Sequence, residues 1–384
     1  MSDSTAPRAA LPRPLPVLRA TIDAIDHEIL QLLARRNGLV AEIAHVKRAE
    51  RVPIRDTTRE RELIADRRER AAQLGLAPEV IESIYRLVLW ASRDRQAALK
   101  AEVPLDIEPR TVAIIGGGGQ MGGCLARLFG DLGHAVMSAD VDTRLTPAEA
   151  AGVADVVVIS VPIGATEAVI RELGPRVRAD ALLMDVTSIK AGPVRAMLES
   201  TEAAVVGTHP LFGPGVHSLQ GQRVVLTRGR GEAWLEWVRS TFHSRGLNVI
   251  EATPEEHDQA MAVVQVLVHY STEVMGRTLA DLKVPLARTL EFTSPIYLIE
   301  LLMTARHFGQ SADLYAGIEM SNPDAARVTG AFVEAARRMA GLIERRDEAG
   351  FQAAFEEVHQ FFGAFTTEAM EKSSYLIDRI VERA

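Results

Sequence analysis

The stretch Val112-Ala113-Ile114-Ile115-Gly116-Gly117-Gly118-Gly119-Gln120-Met121-Gly122 constrains the fold more than any other part of the chain. An apolar, β-favouring run enters a glycine turn in which Gly117, Gly119 and Gly122 fit G-x-G-x-x-G. Leu125, Leu128, Phe129 and Leu132 follow at helical spacing. In such a strand–turn–helix unit one glycine permits the tight turn. Another lets the backbone approach a pyrophosphate, and the last lets the helix pack on the strand. The free N–H groups at the helix start, here Gln120 and Met121, suit an anion. A second strand, 135–139, ends at Asp140, where an acidic residue meets adenosine ribose hydroxyls. The sequence therefore predicts a dinucleotide site. The competing reading is a glycine-rich turn in an unrelated α/β domain.

Strands are expected near 111–115, 135–139, 155–160, 182–186, 204–206 and 223–227, forming an α/β Rossmann-type domain with a parallel sheet over 111–245. Asp155-Val-Val-Val-Ile-Ser160 is almost all apolar, as a strand covered on both faces should be. Ligands of open α/β sheets bind beyond the carboxyl ends of strands. That rule gathers Ser160 and Pro162 on the nicotinamide side, with Ser188, Lys190 and His209 converging on the same end. Asp140 would repel a 2′-phosphate, so NAD+ is expected in preference to NADP+.

Ahead of this domain, Leu18, Ile22, Ile25, Ile29, Leu32, Leu39, Ile43 and Val46 repeat at 4-3 spacing, with Arg36 in the one gap. This seam has the 3.5-residue period of a supercoiled helix, and a helix so long in a segment of about 85 residues calls for a partner chain. Lys47, three turns after Arg36, shares its face. Arg19, 17 residues before Arg36, sits roughly 25 Å from it along the axis and cannot touch the same small ligand within one helix. Further helices are expected near 59–73, capped by Thr57 or Thr58, and from 79 to 100. Residues 1–16 read as a disordered leader, 17–100 as an all-α three-helix domain and 101–110 as a linker.

Behind the sheet, Thr253-Pro-Glu-Glu256 is a capping box. Helical patterns cover 254–281, 286–307, 323–346 and 349–382, so 246–384 reads as an all-α dimerisation and substrate domain.

Charge narrows the function. Residues 1–100 carry 18 Lys and Arg against 14 Asp and Glu, whereas 101–384 carry 25 against 37. No polybasic tract is interleaved with aromatics, which argues against nucleic acid. No apolar run reaches the length of a membrane span. The single cysteine, Cys124, suits a reducing cytoplasm. No metal is expected.

Two resemblances follow from these motifs. Residues 17–97, with Leu-Leu-Ala-Arg-Arg (32–36), Val-Lys (46–47) and Pro-Ile-Arg-Asp-Thr-Thr-Arg-Glu-Arg (53–61), resemble the all-helical chorismate mutases, whose helices intertwine in a dimer. The resemblance implies that Arg19, Arg36 and Arg59 hold the carboxylates of chorismate, with Ser92 nearby. Lys47 and Gln96 would donate to the ether oxygen, and Asp56 and Glu60 would orient the ring hydroxyl. Residues 110–375 resemble the prephenate dehydrogenases. The motifs are Ser-Val-Pro-Ile (160–163), Asp-Val-Thr-Ser-Ile-Lys (185–190), Thr-His-Pro-Leu-Phe-Gly-Pro (208–214), Glu-Glu-His-Asp (255–258) and Ser-Pro-Ile-Tyr (294–297). This resemblance implies His209 as the catalytic acceptor, supported by Ser188. Arg306 would bind a prephenate carboxylate, with Lys190, His269 and Tyr315 lining the pocket. Relatives carry a second arginine where this chain has Leu298.

Together they imply a cytoplasmic homodimer that converts chorismate to prephenate, then prephenate to 4-hydroxyphenylpyruvate with NAD+. Feedback inhibition by tyrosine through Arg306 is a further expectation. The rival readings are another NAD-dependent hydroxy-acid dehydrogenase and a nucleotide-sensing regulator without turnover.

Overall fold

The computed structural model describes residues 13–50, 52–99, 108–216 and 218–381. Most of the expected leader and linker lies outside these residues. Three helices come first: α1 (Leu15–Glu50), α2 (Thr57–Gln73) and α3 (Pro78–Ala98). The α2 cap is Asp56 and not a threonine: its carboxylate accepts from the Arg59 N–H at 2.9 Å. Arg68 ties α2 to α3 through Glu79 at 3.0 Å and Glu82 at 2.6 Å.

At 36 residues α1 is about 54 Å long. Its own chain buries only Val40 and Ala44 on it. The seam faces elsewhere: Ile22, Ile25, Ile29, Leu32, Leu39, Ile43 and Val46 are all exposed. A row of apolar residues at 3.5-residue spacing is thus left without cover by α2 and α3.

The central sheet has seven strands: β1 (Thr111–Ile115), β2 (Ala135–Ala139), β3 (Val156–Ile159), β4 (Leu182–Asp185), β5 (Ala204–Pro210), β6 (Arg223–Arg230) and β7 (Asn248–Ala252). Their order is β2-β1-β3-β4-β5-β6-β7, and only the β5–β6 pair is antiparallel. Alternation along β1 explains the two-sided core. Val112 and Ile114 meet α4 (Gln120–Asp131) and α8 (Glu232–Ser244) on one face. Ala113 and Ile115 meet α5 (Pro147–Val153), α6 (Ile163–Leu173) and α7 (Ala191–Ser200) on the other. β7 was not expected. It pairs with β6 from Asn248 to Ala252, so the sheet runs past the expected boundary at 245.

The rest is helical. α9 (Pro254–Met261), a π-helical turn (Ala262–Leu267) and α10 (Val268–Asp281) follow one another without a break. Then come α11 (Leu286–Glu291), α12 (Pro295–Phe308), α13 (Ala312–Ser321), α14 (Ala325–Glu344), α15 (Glu348–Phe362) and α16 (Phe365–Val381). Two expected helices are divided, one where Ser294 caps α12 ahead of Pro295 and one at Gly363, whose φ is +50°. α13 was missed. Neither α10, α11 nor α15 has a buried residue, and Phe308, Phe361 and Phe365 are exposed. Among the described residues, no helix is long and apolar enough to cross a membrane.

The helical domain touches the sheet domain beside the α1–α2 turn. Val52, Pro53, Ile54 and Arg55 line a 480 Å³ cleft with Gly221, His243, Gly246 and Asn248. A smaller one, 270 Å³, lies between the end of α3 and residues 214–220.

Candidate active sites

Strand register assembles the first site. Ala139 pairs with Ile115, Ile115 with Ile159, Ile159 with Asp185, and Asp185 with Gly207. This row crosses five strands at one level. Whatever follows it in each strand therefore leaves the sheet at the same edge: Gly116–Gly119, Asp140, Ser160, Ser188, and Thr208 with His209. The switch point between β1 and β3 lies in the middle of that edge, where ligands of such sheets bind.

The glycine turn divides its duties differently from the expectation. Gly116, not Gly117, has the positive φ, +85°, and a Cβ there would lie 2.3 Å from the Ser160 carbonyl oxygen. A Cβ on Gly117 would meet Ser138 at 2.6 Å, and one on Gly122 would meet the Gly116 carbonyl oxygen at 2.4 Å. The first enforces the turn and the other two permit close packing. Gly119, with Gln120 beside it, is left on the exposed rim, where α4 begins. Asp140 accepts from the Gly118 N–H at 3.1 Å and the Val141 N–H at 2.9 Å. Backbone bare of side chains, a helix N-terminus and an acid at the end of β2 fit a dinucleotide. Ser160 is half-buried and Pro162 caps α6 on the other side of the turn.

His209 ends a buried relay. Its Nδ1 lies 2.8 Å from His257 Nε2, and His257 Nδ1 lies 2.8 Å from Asp258 Oδ1. Asp258 in turn accepts from the Lys190 and Ala191 N–H groups at 2.7 and 2.9 Å. Burial raises the Asp258 pKa, but these hydrogen bonds outweigh it and the net shift is downward. An ionised Asp258 fixes the proton of His257 on Nδ1. His257 Nε2 is then an acceptor, His209 must donate from Nδ1, and its Nε2 keeps the free lone pair. Burial first, then His257 and Lys190, hold the His209 imidazole well below its ordinary pKa of 6.5. It is a neutral base.

Lys190 does not line a pocket. It is wholly buried, and its ammonium pairs with Asp185 and donates to the Thr208 carbonyl at 2.8 Å. It clamps the ends of β4 and β5, which aims His209. Ser188 sits half-buried between Asp185 and Lys190. His257 and Asp258 had gone unassigned, although their motif was noticed: the pairing with His209 spans 48 positions and leaves no local trace.

His269 and Tyr315 are brought together, ring centroids 4.9 Å apart, with His307 stacked on Tyr315 at 3.8 Å. Arg306 is exposed in the last turn of α12, and its charge reaches the Tyr315 hydroxyl. Beside them is a 480 Å³ cavity lined by Tyr270, Glu273, His307, Tyr315 and Glu319. Burial and the neighbouring Glu273 push the Glu319 pKa up to about 7.

The second site lies among α1, α2 and α3. Arg36, Val40, Ala44 and Lys47 share the inward face of α1. Arg36 donates to the Ser92 hydroxyl, and Lys47 donates to the Pro53 and Ile54 carbonyls at 2.8 and 2.6 Å. Burial lowers the Lys47 pKa against the pull of Asp56 and Glu60. Gln96 is buried, with Nε2 on the Ser92 carbonyl at 3.2 Å and Oε1 unpartnered. Glu60 pairs with Arg93 at 2.5 Å, and Arg59 is exposed at the start of α2. Arg19 is exposed near the start of α1 and does not join them.

Comparison with known proteins agrees with both sites. Residues 18–97 match the family model chorismate mutase type II. Residues 133–251 match the nucleotide-binding domain of prephenate dehydrogenase and 253–357 its dimerization domain. The chain is 36% identical to the T-protein of Enterobacter agglomerans, over 94% of this chain and 97% of that one. It is 32% identical to the T-protein of Haemophilus influenzae, over 94% and 96%. Prephenate dehydrogenase from A. aeolicus, solved with hydroxyphenyl propionate and NAD+, shares the fold. Its TM-score is 0.58 at 20% identity, over 69% of this chain and 99% of that one.

Proposed function

The chain belongs to the T-protein family, a chorismate mutase joined to a prephenate dehydrogenase, and from that premise we propose how its residues divide the work. Chorismate rearranges pericyclically, without an acid, a base or a covalent step, so its site needs positioning and charge stabilisation alone. Arg36, held by Ser92, grips a carboxylate. Lys47 and Gln96 donate to the ether oxygen as its bond breaks, and Asp56 and Glu60 orient the ring hydroxyl. Arg59 lies at the mouth. Arg19 reaches the site of a second copy, because α1 projects its bare apolar seam away from its own chain. The protein then works as a homodimer.

For the second reaction the dinucleotide is NAD+, which accepts a hydride when bound. The glycine cradle takes its pyrophosphate and Asp140 its ribose. Ser160, Pro162 and Ser188 border the nicotinamide. His209 Nε2 takes the proton of the C4 hydroxyl, and Arg306, with His269 and Tyr315, holds the far carboxylate. The relay His209–His257–Asp258 is the observation that carries this reading, since it leaves one lone pair aimed out of a dry edge. A setting in the cytoplasm, supported by the lone buried Cys124, and inhibition by tyrosine through Arg306 complete the proposal. The experiment supplies chorismate with and without NAD+. Without it, the product should stop at prephenate; with it, 4-hydroxyphenylpyruvate, CO2 and NADH should appear in equal amounts. Absence of NADH from supplied prephenate would overturn the dehydrogenase half.

A further inference from the structure

We propose that Gln265 is the second hydrogen-bond donor to the oxygen that His209 deprotonates; the inference rests on His209 being the base. Gln265 lies in the π-helical turn between α9 and α10. A π turn forfeits regular helical bonding and occurs often at functional sites. Here Ala262 and Val266 anchor it, both wholly buried against Val328. The wider turn carries the Gln265 side chain to the catalytic edge. Its Nε2 lies 3.5 Å from His209 Nε2, the nitrogen that the relay leaves free. An oxygen about 2.9 Å from each nitrogen completes that triangle. Gln265 Oε1 is buried and has no hydrogen-bond partner. An amide kept in that state is not optimised for the free protein.

The chemistry needs a donor at this point. The C4 hydroxyl proton passes to His209 Nε2 and the C4 hydride to NAD+, leaving a ring carbonyl. The C1 carboxylate then departs as CO2. Its bonding pair enters the ring and ends on the carbonyl oxygen as a phenolate, which regains a proton from His209. Negative charge therefore grows on the oxygen that sits between His209 and Gln265. Protonated His209 and the Gln265 amide together form a two-donor pocket for it.

The test compares Gln265→Leu and the near-isosteric Gln265→Glu with His209→Asn in the full-length protein. Mutase turnover serves as the folding control, and NAD+ affinity is measured by fluorescence titration. Both Gln265 variants should lose kcat by roughly 10²-fold, the worth of one such donor. KM for prephenate, NAD+ affinity and mutase turnover should hold. Gln265→Glu should also move the acidic limb of the pH–kcat profile upward, because an anion beside His209 favours the imidazolium. A merely structural glutamine would not shift that limb. If Gln265→Leu fails the mutase control, Gln265→Glu decides alone. A variant that keeps kcat within about twofold, with its acidic limb unmoved, overturns the proposal. If His209→Asn keeps its kcat, it is the base assignment that fails.

Discussion

His209 is a base because of its neighbours. Asp258 and His257 set its tautomer, and burial keeps it neutral. His209→Asn should lower dehydrogenase kcat by roughly 10²–10⁴-fold, the usual worth of a general base, with little change in KM. Since its pKa is depressed, the wild-type acidic limb should fall well below pH 6.5. A profile of kcat against pH checks both, and a limb at 6.5 or above would contradict the buried relay. Arg306→Gln should chiefly raise KM for prephenate and spare NAD+ affinity. Asp140→Asn should narrow the preference for NAD+ over NADP+, read as a ratio of kcat/KM values; an unchanged ratio would locate the discrimination elsewhere. At this scale the sequence was legible wherever chemistry and position coincide locally. Asp140 could be placed because a strand ends at it, and His209 because glycine and proline flank a strand end. His257 could not, since only the fold brings it to His209. Nor could the duty of Gly116, which depends on the nearness of Ser160, 44 positions later.

Among elements, the long α1 was plain from its period, and so was its lack of cover. The structure adds that Arg36 and Lys47 lie on the face its own chain buries, whereas the seam faces outward. Arg19→Ala and Arg36→Ala should each abolish mutase activity. Unfolded and refolded together, they should recover part of it in mixed dimers, because one site in such a dimer keeps both arginines. No recovery despite demonstrated mixed dimers would mean that the sites are not shared. Other elements were hard to see. The strand Asn248–Ala252 is a short edge strand of mixed character and reads as loop. The apolar run through 286–307 hides its own interruption at Ser294 and Pro295. The π turn shares the apolar pattern of the helices on either side, and no local residue announces it.

For the whole molecule, four imidazoles are held neutral mainly by burial: His134, His209, His257 and His269. Each has a folded pKa below its unfolded value of 6.5. As pH falls through that value the unfolded chain takes up protons that the folded one refuses, so stability is lost. Glu319 acts in the opposite sense. Raised to about 7, it favours the folded state between its ordinary 4.5 and that value. One group against four leaves the slope positive, and Tm should rise between pH 5.5 and 7. A flat or falling Tm over that interval would show that the imidazoles are not held neutral.

The turn between α1 and α2 rests against Gly221 and Asn248, so the two halves adjoin through a surface as well as through the linker. That surface lies on the stretch that follows His209 and leads into β6. Dividing the chain at the linker would therefore do more than free two enzymes. It would wet Ile54 and Leu247 together and loosen the backbone that leaves the catalytic histidine. A dehydrogenase shortened to begin at residue 108 would be a different machine from the one that works in the intact chain, slower even with every one of its catalytic side chains in place.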